Sequence, residues 1–478
     1  MKKKLIVLYI KSHWYTLNID DYADYSEILP RHKENMLISF QTSDLIRCLM
    51  LLNEHSPLPC IVDLECIDKQ MSQQGKEFRN EKRWSAIRAL KYHEIVSEDY
   101  FVKKDLLKEL LENLAELYKE LLEKDQIEKA RFEKLEIAIN AIIYKRQAQG
   151  INIDINQANS LCTELEKGIY AIKNRLQAEF KIYDPDSVEQ QKDYIESKKY
   201  NLIKSPIFTF KARRNDDEVC RLFYDMLRSQ QDLDSLIYML SHRGVKKCHP
   251  IYFGFGTITS RITLREPALQ NLRKSNRSVI VPETGKKLLY VDYSQFEAGI
   301  LASLSKDPLL IQLYKEDIYA DLAAKVFGDA KKRSDAKVLF YRYMYGDTTL
   351  NDASKAYFQK FKTLAKFKND VENELQVNKK IGTDFGNFRC RDEVVFNWAL
   401  SHKIQATASL IYKRAVERVA SEVKGADFLI PMHDGTLYEI GIVIYPVVKE
   451  NIENIYKEEF KRACPDLEPV LNSIESFT

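Results

Sequence analysis

Apolar positions recur along this chain with two different periods, and together they outline its elements. Between residues 103 and 123, Leu106, Leu107, Leu110, Leu111, Leu114, Leu117 and Leu121 repeat at helical spacing with Glu and Lys between them. That pattern predicts a long amphipathic helix. Further helices are predicted over 131–147 and 156–179, linked at Gly150 by Ile151-Asn-Ile-Asp154. Two long antiparallel helices joined so briefly would make a stalk. In the first hundred residues, short apolar runs at 5–9 and 61–64 mix with helical stretches and predict a small α/β unit. The helical signal stops at 253–271, where Gly254-Phe-Gly-Thr-Ile-Thr-Ser-Arg261 predicts loop or edge strand. Leu288 to Val291 then form a strand-length apolar run closing on Asp292, followed by predicted helices at 296–304 and 308–327.

Composition narrows the class. The 478 residues suffice for roughly three packing units of about 150 residues, and 45% are hydrophobic. No apolar run approaches the ~20 residues that span a bilayer, and Met-Lys-Lys-Lys leads straight into Leu5 rather than into a signal peptide. Membrane insertion and secretion are not expected; a cytoplasmic location is. The eight cysteines are scattered without a Cys-x-x-Cys pair, which argues against structural zinc. Net charge is only +3, yet residues 198–287 hold eighteen Lys or Arg against eight Asp or Glu. Such a block is a solvated face or a track for a phosphate backbone.

Three constellations could carry chemistry. Asp292 ends a buried strand and could hold a metal, although an acid there also caps helices and forms turns. Phe428 to Ile440 holds two apolar runs around Asp434-Gly435, a hairpin signal favoured for backbone reasons alone, with His433 beside it. Convergence of the two carboxylates would suit a pair of Mg²⁺ ions about 3.5–4 Å apart. Arg333, Lys337, Tyr341 and Tyr345 recur every fourth residue, giving one gently drifting helical stripe of two cations and two aromatics that ends at Gly346. It could grip a triphosphate and stack a sugar and base, or be a surface helix whose tyrosines pack on a neighbour.

These segments, in this order, resemble motifs A, B and C of family A DNA polymerases, the group of bacterial DNA polymerase I and several phage replicases. Asp292-Tyr-Ser-Gln-Phe-Glu297 is similar to the family's Asp-Tyr-Ser-Gln-Ile-Glu, the Arg333 to Gly346 spacing matches motif B, and Met432-His-Asp434 resembles motif C. Ser260-Arg261 and Glu266-Pro-Ala-Leu-Gln-Asn271 look like the stretch before motif A, and Gln405-Ala-Thr-Ala resembles the family's Gln-Gly-Thr-Ala helix. The resemblance implies an α+β right-hand fold with an antiparallel-sheet palm, helical fingers and thumb, and a small N-terminal α/β domain. It implies an exonuclease-like remnant at 1–128, thumb at 129–252, palm at 253–330, fingers at 331–400 and palm again at 401–478, with no 5′-nuclease domain.

The same resemblance implies roles. Asp292, Asp434 and the Tyr293 carbonyl would bind two Mg²⁺ ions. Gln295, Glu297, Arg333, Lys337, Tyr341 and Tyr345 would form the substrate site, with Arg333 and Lys337 on the phosphates, Tyr341 on the sugar and Glu297 crowding the 2′ position. Arg261, Gln270, Asn271, Gln405 and His433 would touch primer-template DNA. The implied reaction is template-directed addition of dNTPs by a monomer in a bacterial cell or phage-infected host, open to accessory replication proteins.

Departures are visible. Gly435 replaces the usual acid of motif C, Gly299 the usual Arg, and Tyr319 the common His, while Tyr341 is the residue that accompanies dideoxynucleotide acceptance. Within residues 1–128 only Asp63-Leu-Glu65 has an exonuclease-like Asp-x-Glu form, and it lies too far into the domain, so a structural remnant without proofreading is expected. The rivals are an RNA polymerase of related fold, which Glu297 opposes, a catalytically impaired primer-template-binding protein, and a nuclease using Asp63 and Glu65. The Lys- and Ile-rich, compact chain hints at a phage or mobile element.

Overall fold

The computed structural model describes residues 3–10, 13–22, 35–52, 58–73, 85–101, 106–241, 247–347, 349–391 and 397–477. They form two compact units: Met1–Gln149, Tyr252–Leu264 and Thr284–Ser476 in one, Gly150–Ile251, Arg265–Glu283 and Phe477–Thr478 in the other. Helices and mainly antiparallel sheets give the α+β class read from the sequence.

The larger unit begins with a four-stranded sheet in the order His13–Asn18, Lys4–Ile10, Met36–Ser39, Cys60–Asp63, its first pair antiparallel and the rest parallel. The leucine stripe lies on helix Leu107–Glu123, where Leu110, Leu111, Leu114, Leu117 and Leu121 join Ile6, Leu8, Leu17, Ile38 and Val62 in one buried core. Residues 102–105 of the expected helix lie outside the described residues. Next comes a nearly continuous helix in which a π-helical turn, Phe132–Glu136, separates Gln126–Arg131 from Ile137–Gln149.

A second four-stranded sheet, wholly antiparallel, runs Ala426–Pro431, Gly435–Gly441, Lys286–Ser294, Val470–Ile474. Helices Ala399–Glu422 and Tyr445–Ala463 pack on each other and on this sheet. The expected helix at 308–327 is two, Pro308–Glu316 and Ile318–Phe327. Asp317 leaves the helical conformation between them and its carboxylate caps the Tyr319 and Ala320 N–H groups at 3.0 and 3.2 Å.

In the smaller unit, helix Ile155–Phe180 packs chiefly along Glu218–Ser241, with Pro206–Arg213 beside the latter. The expected stalk partner, residues 131–147, belongs instead to the larger unit. Periodicity marks which face of a helix is apolar, not which helix covers it. Among the described residues no helix is long and apolar enough to cross a membrane.

Candidate active site

The strand Lys286–Ser294 pairs with Gly435–Gly441 in a register that sets Asp292 opposite Gly435. The Tyr293 N–H donates to the Asp434 carbonyl at 3.1 Å, so the two aspartates that the sequence singled out arrive on adjoining backbones. The turn itself differs from expectation. The loop residues are His433 and Asp434, closed by a 2.8 Å bond from Met432 N–H to the Gly435 carbonyl, and Gly435 is the first residue of the returning strand. Glycine is required there by close approach: a Cβ would sit 2.3 Å from the Val291 carbonyl oxygen and 2.8 Å from both Asp292 Cα and Oδ1. Burial raises the Asp434 carboxyl above its ordinary range, with Arg261, His433 and Lys337 pulling the other way. Burial lowers the His433 imidazole, and Arg261 adds to that.

Glu297 lies in the first turn of helix Phe296–Ser305 and is buried. Its Oε1 accepts from Arg261 Nη2 at 2.6 Å, while Oε2 is buried with no hydrogen-bond partner among the described residues. Burial lifts this carboxyl to about 7, against the opposing pull of Arg261, and the Asp434 charge adds to the rise. Gln405 donates to the Tyr345 hydroxyl at 2.7 Å. Each of two residues read as duplex contacts is thus bonded to a residue read as nucleotide-facing.

The predicted stripe lies on helix Arg333–Met344, which buries Ala336, Leu339, Phe340 and Met344 and leaves Arg333, Lys337 and Tyr345 exposed. Tyr345 follows the last helical residue, and Gly346, with φ +73°, ends the run. Arg333 Nε donates to Asp317 Oδ2 at 2.6 Å. The Tyr319 ring is a shared platform, 5.2 Å below the Arg333 guanidinium and 6.0 Å from Lys337 Nζ, which also lies 5.9 Å from the Tyr341 ring. Burial raises the Tyr341 hydroxyl, reinforced by Glu297 and Tyr319. Gln295, at the start of helix Phe296–Ser305 with φ +53°, spends its side-chain amide within the fold, on the Tyr314 carbonyl and the Ile318 N–H. Gln270 and Asn271 sit in a 3₁₀ turn, Leu269–Asn271, of the smaller unit.

A family model described as DNA polymerase family A matches residues 223–465, just over half of the chain. The chain belongs to this family. Among its curated relatives, DNA polymerase I of Helicobacter pylori is 27% identical over 250 residues, covering 45% of this chain and 28% of that protein. DNA polymerase I of Aquifex aeolicus is 24% identical over 422 residues, covering 79% of this chain and 73% of the relative. The chain spans under a third of the H. pylori and Caldicellulosiruptor bescii polymerases that it matches. Its fold is similar to that of the POL domain of Pol1 from M. smegmatis, solved in complex with DNA primer-template and dNTP. The TM-score is 0.80 at 16% identity, over 100% of this chain and 96% of that one.

In this family A chain, Asp63 is buried where the strand Cys60–Asp63 ends. It caps helix Leu64–Ser72 through the Cys66 N–H at 3.2 Å and accepts from Thr42 at 3.1 Å and Tyr144 at 3.4 Å. Glu65 is ion-paired with Lys69. Among the described residues no group of three or more His, Cys, Asp or Glu could hold a metal. The sequence reading missed Asp317 as the partner of Arg333 and Tyr319 as a platform for both cations. An Asp just before a helical run was the available signal for the first, and no local signal marks the second.

Proposed function

We propose that this chain is a template-directed DNA polymerase that adds dNTPs to a primer 3′ end. The observation that carries the reading is the register that sets Asp292 and Asp434 side by side at the end of the antiparallel sheet. Two carboxylates and the Tyr293 carbonyl are an all-oxygen donor set, which fits Mg²⁺ completed by substrate phosphates. A bound metal pair supplies activation of the primer 3′-hydroxyl and neutralisation of the departing pyrophosphate.

The chain's own residues do the positioning. Arg333 exchanges its exposed Asp317 partner for a triphosphate, and Lys337 approaches the same group from beside Tyr341. The Tyr341 ring supports the sugar. Glu297 occupies the space a 2′-hydroxyl would need, held there by Arg261. Arg261, Gln405 and His433 of the larger unit follow the minor groove, where acceptors common to all base pairs report shape rather than sequence; Gln270 and Asn271 serve as DNA contacts of the smaller unit. Residues 129–252 serve as the thumb, of which 150–251 lie in the smaller unit, the sheet bearing Asp292 and Asp434 belongs to the palm, and helix Arg333–Met344 is part of the fingers. Asp63 and Glu65, engaged in capping and in an ion pair, leave the N-terminal domain a non-proofreading remnant.

Primer extension with Mg²⁺ and all four dNTPs tests the reading. Asp292→Ala should abolish extension while leaving primer-template affinity intact. No extension by the unmutated chain would refute it, and Mg²⁺-dependent 3′ degradation without dNTPs would refute the remnant assignment.

A further inference from the structure

Behind Arg261 the larger unit buries an ionic cluster that the reaction just described does not use. Arg131 ends helix Gln126–Arg131, Glu136 closes the π-helical turn, and Lys413 lies on helix Ala399–Glu422. Arg131 and Lys413 are wholly inaccessible, and Glu136 nearly so. Glu136 takes Arg131 Nε at 2.9 Å on one oxygen and Lys413 Nζ at 2.5 Å on the other. Both cations also converge on one hydroxyl: Ser260 Oγ accepts from Arg131 Nη2 at 3.0 Å and from Lys413 Nζ at 2.6 Å. Ser409 donates to the Ser260 carbonyl at 2.8 Å. Ser260 itself is held at φ +62°, a conformation that a non-glycine residue keeps only where its surroundings impose it.

A buried ion cluster is a poor device for stability, because apolar residues of the same volume commonly serve as well. It is a good device for fixing one geometry. The residue after Ser260 is Arg261, whose N–H donates to Thr257 Oγ1 at 3.1 Å and whose carbonyl accepts from the Gly256 N–H at 2.9 Å. Its guanidinium then extends to Glu297. We propose that Lys413, Glu136 and Arg131 are positioning residues that, through Ser260, aim Arg261 at the minor-groove acceptor of the primer-terminal base. The inference rests on the polymerase reading above and adds three residues remote from substrate to it.

The test crosses two protein variants with one deleted DNA atom. Lys413→Met keeps side-chain length and removes the charge; Ser260→Gly tolerates the positive φ and removes the hydroxyl. Each is assayed on a primer ending in guanine or in 3-deazaguanine, which lacks the N3 acceptor. The unmutated chain should lose about tenfold in single-nucleotide kcat on the deaza primer, the scale of one charge-assisted hydrogen bond. Both variants, and Arg261→Ala, should already be slowed by a similar factor on the normal primer and lose under twofold more on the deaza primer, with the dNTP KM within about twofold of the unmutated value. Variants that are slow yet still show the full deaza penalty have only a structural defect, which overturns the proposal. Unchanged rates overturn it, as does an unmutated chain indifferent to the deaza base. Should Lys413→Met fail to fold, Ser260→Gly, which relieves the strained φ, carries the cycle. A chain that extends no primer defeats the polymerase reading alone, since the same cycle read as equilibrium affinity for the two primer-templates still decides the positioning.

Discussion

Replacing Gly435 by alanine adds one methyl group at the tightest point between the two aspartates. That Cβ would meet the Val291 carbonyl oxygen at 2.3 Å and Asp292 Cα at 2.8 Å, whereas ordinary contact begins at 3.4 Å. Both neighbours are backbone, so no rotamer change relieves the overlap, and the strands must part by roughly 1 Å. Overpacking of this kind costs about 1–3 kcal/mol. The bond from Tyr293 N–H to the Asp434 carbonyl, now 3.1 Å, stretches as well, adding about 1 kcal/mol. A displacement of about 1 Å between the two groups proposed to share a metal pair should lower the rate on the order of 100-fold. Chemical denaturation and rapid-quench single-nucleotide incorporation measure the two effects. Gly435→Glu, which restores the usual motif C acid, should do no better than alanine. Gly168 is the control: it lies within helix Ile155–Phe180 with nothing within 4 Å of an added Cβ, so Gly168→Ala should stabilise by about 0.5–1 kcal/mol. A Gly435→Ala chain as stable as the original, incorporating at an unchanged rate, would refute the close-approach reasoning.

Burial, with Glu65 adding, lifts the Asp63 carboxyl from 3.8 to about 6 in the folded chain. A carboxyl that titrates higher when folded holds its proton in N while U has lost it, so stability falls as pH rises from about 4 to 6. Asp63→Asn, which can still cap the helix, should therefore raise Tm at pH 7, by at most about 3 kcal/mol in stability, and not at pH 3.5; equal Tm changes at both would contradict this. Asp317→Asn keeps the cap of helix Ile318–Phe327 but frees Arg333 from an exposed ion pair of about 0.2–1 kcal/mol, so the dNTP KM should fall by up to about fivefold in steady-state extension. The unmutated chain should be terminated readily by ddNTPs and Tyr341→Phe should resist them; strong discrimination by the unmutated chain in a titration would reject the role given to Tyr341.

What could be read in the sequence was what repeats locally. The leucines of 107–123 announce a helix because seven of them fall on one face. The Arg333 stripe announces its own geometry because four-residue steps hold only on a helix. The strand through Asp292 follows from four consecutive apolar residues, although it runs on to Ser294, where pairing with Val470–Ile474 extends it beyond the expected end at Asp292. Positions set by a distant neighbour stayed silent. Asp317 breaks an otherwise continuous helical pattern with a cap and needs neither Gly nor Pro to do so. Asp434-Gly435 invites a turn one residue too late, because the glycine answers to the adjoining strand rather than to a positive φ. Lys413 and Glu136 are 277 residues apart, and nothing in either's surroundings foretells their contact.

The departures from the family pattern also become coherent once neighbours are considered. At Gly299 a Cβ would lie 2.6 Å from Tyr314 Cε2 and 3.1 Å from Phe460 Cζ, so the space a side chain would enter is already filled. Tyr314 lies nearly parallel to Phe460, 6.3 Å between centroids, and Phe460 adjoins both Tyr293 and Phe296, which stack on each other at 4.2 Å. Tyr293 is further tied down by its hydroxyl, which donates to the Tyr456 carbonyl at 2.6 Å. Where an arginine commonly stands, this chain has an aromatic stack ending on the residue that follows Asp292. An exposed cation can be deleted at small cost, whereas a ring cluster wedged against a glycine can only be exchanged as a set. Gly299 is therefore the complement of Tyr314 and Phe460 rather than a lost arginine, just as Gly435 is the complement of the Val291 carbonyl rather than a lost acid. Both glycines let neighbouring groups close in on the strand that carries Asp292.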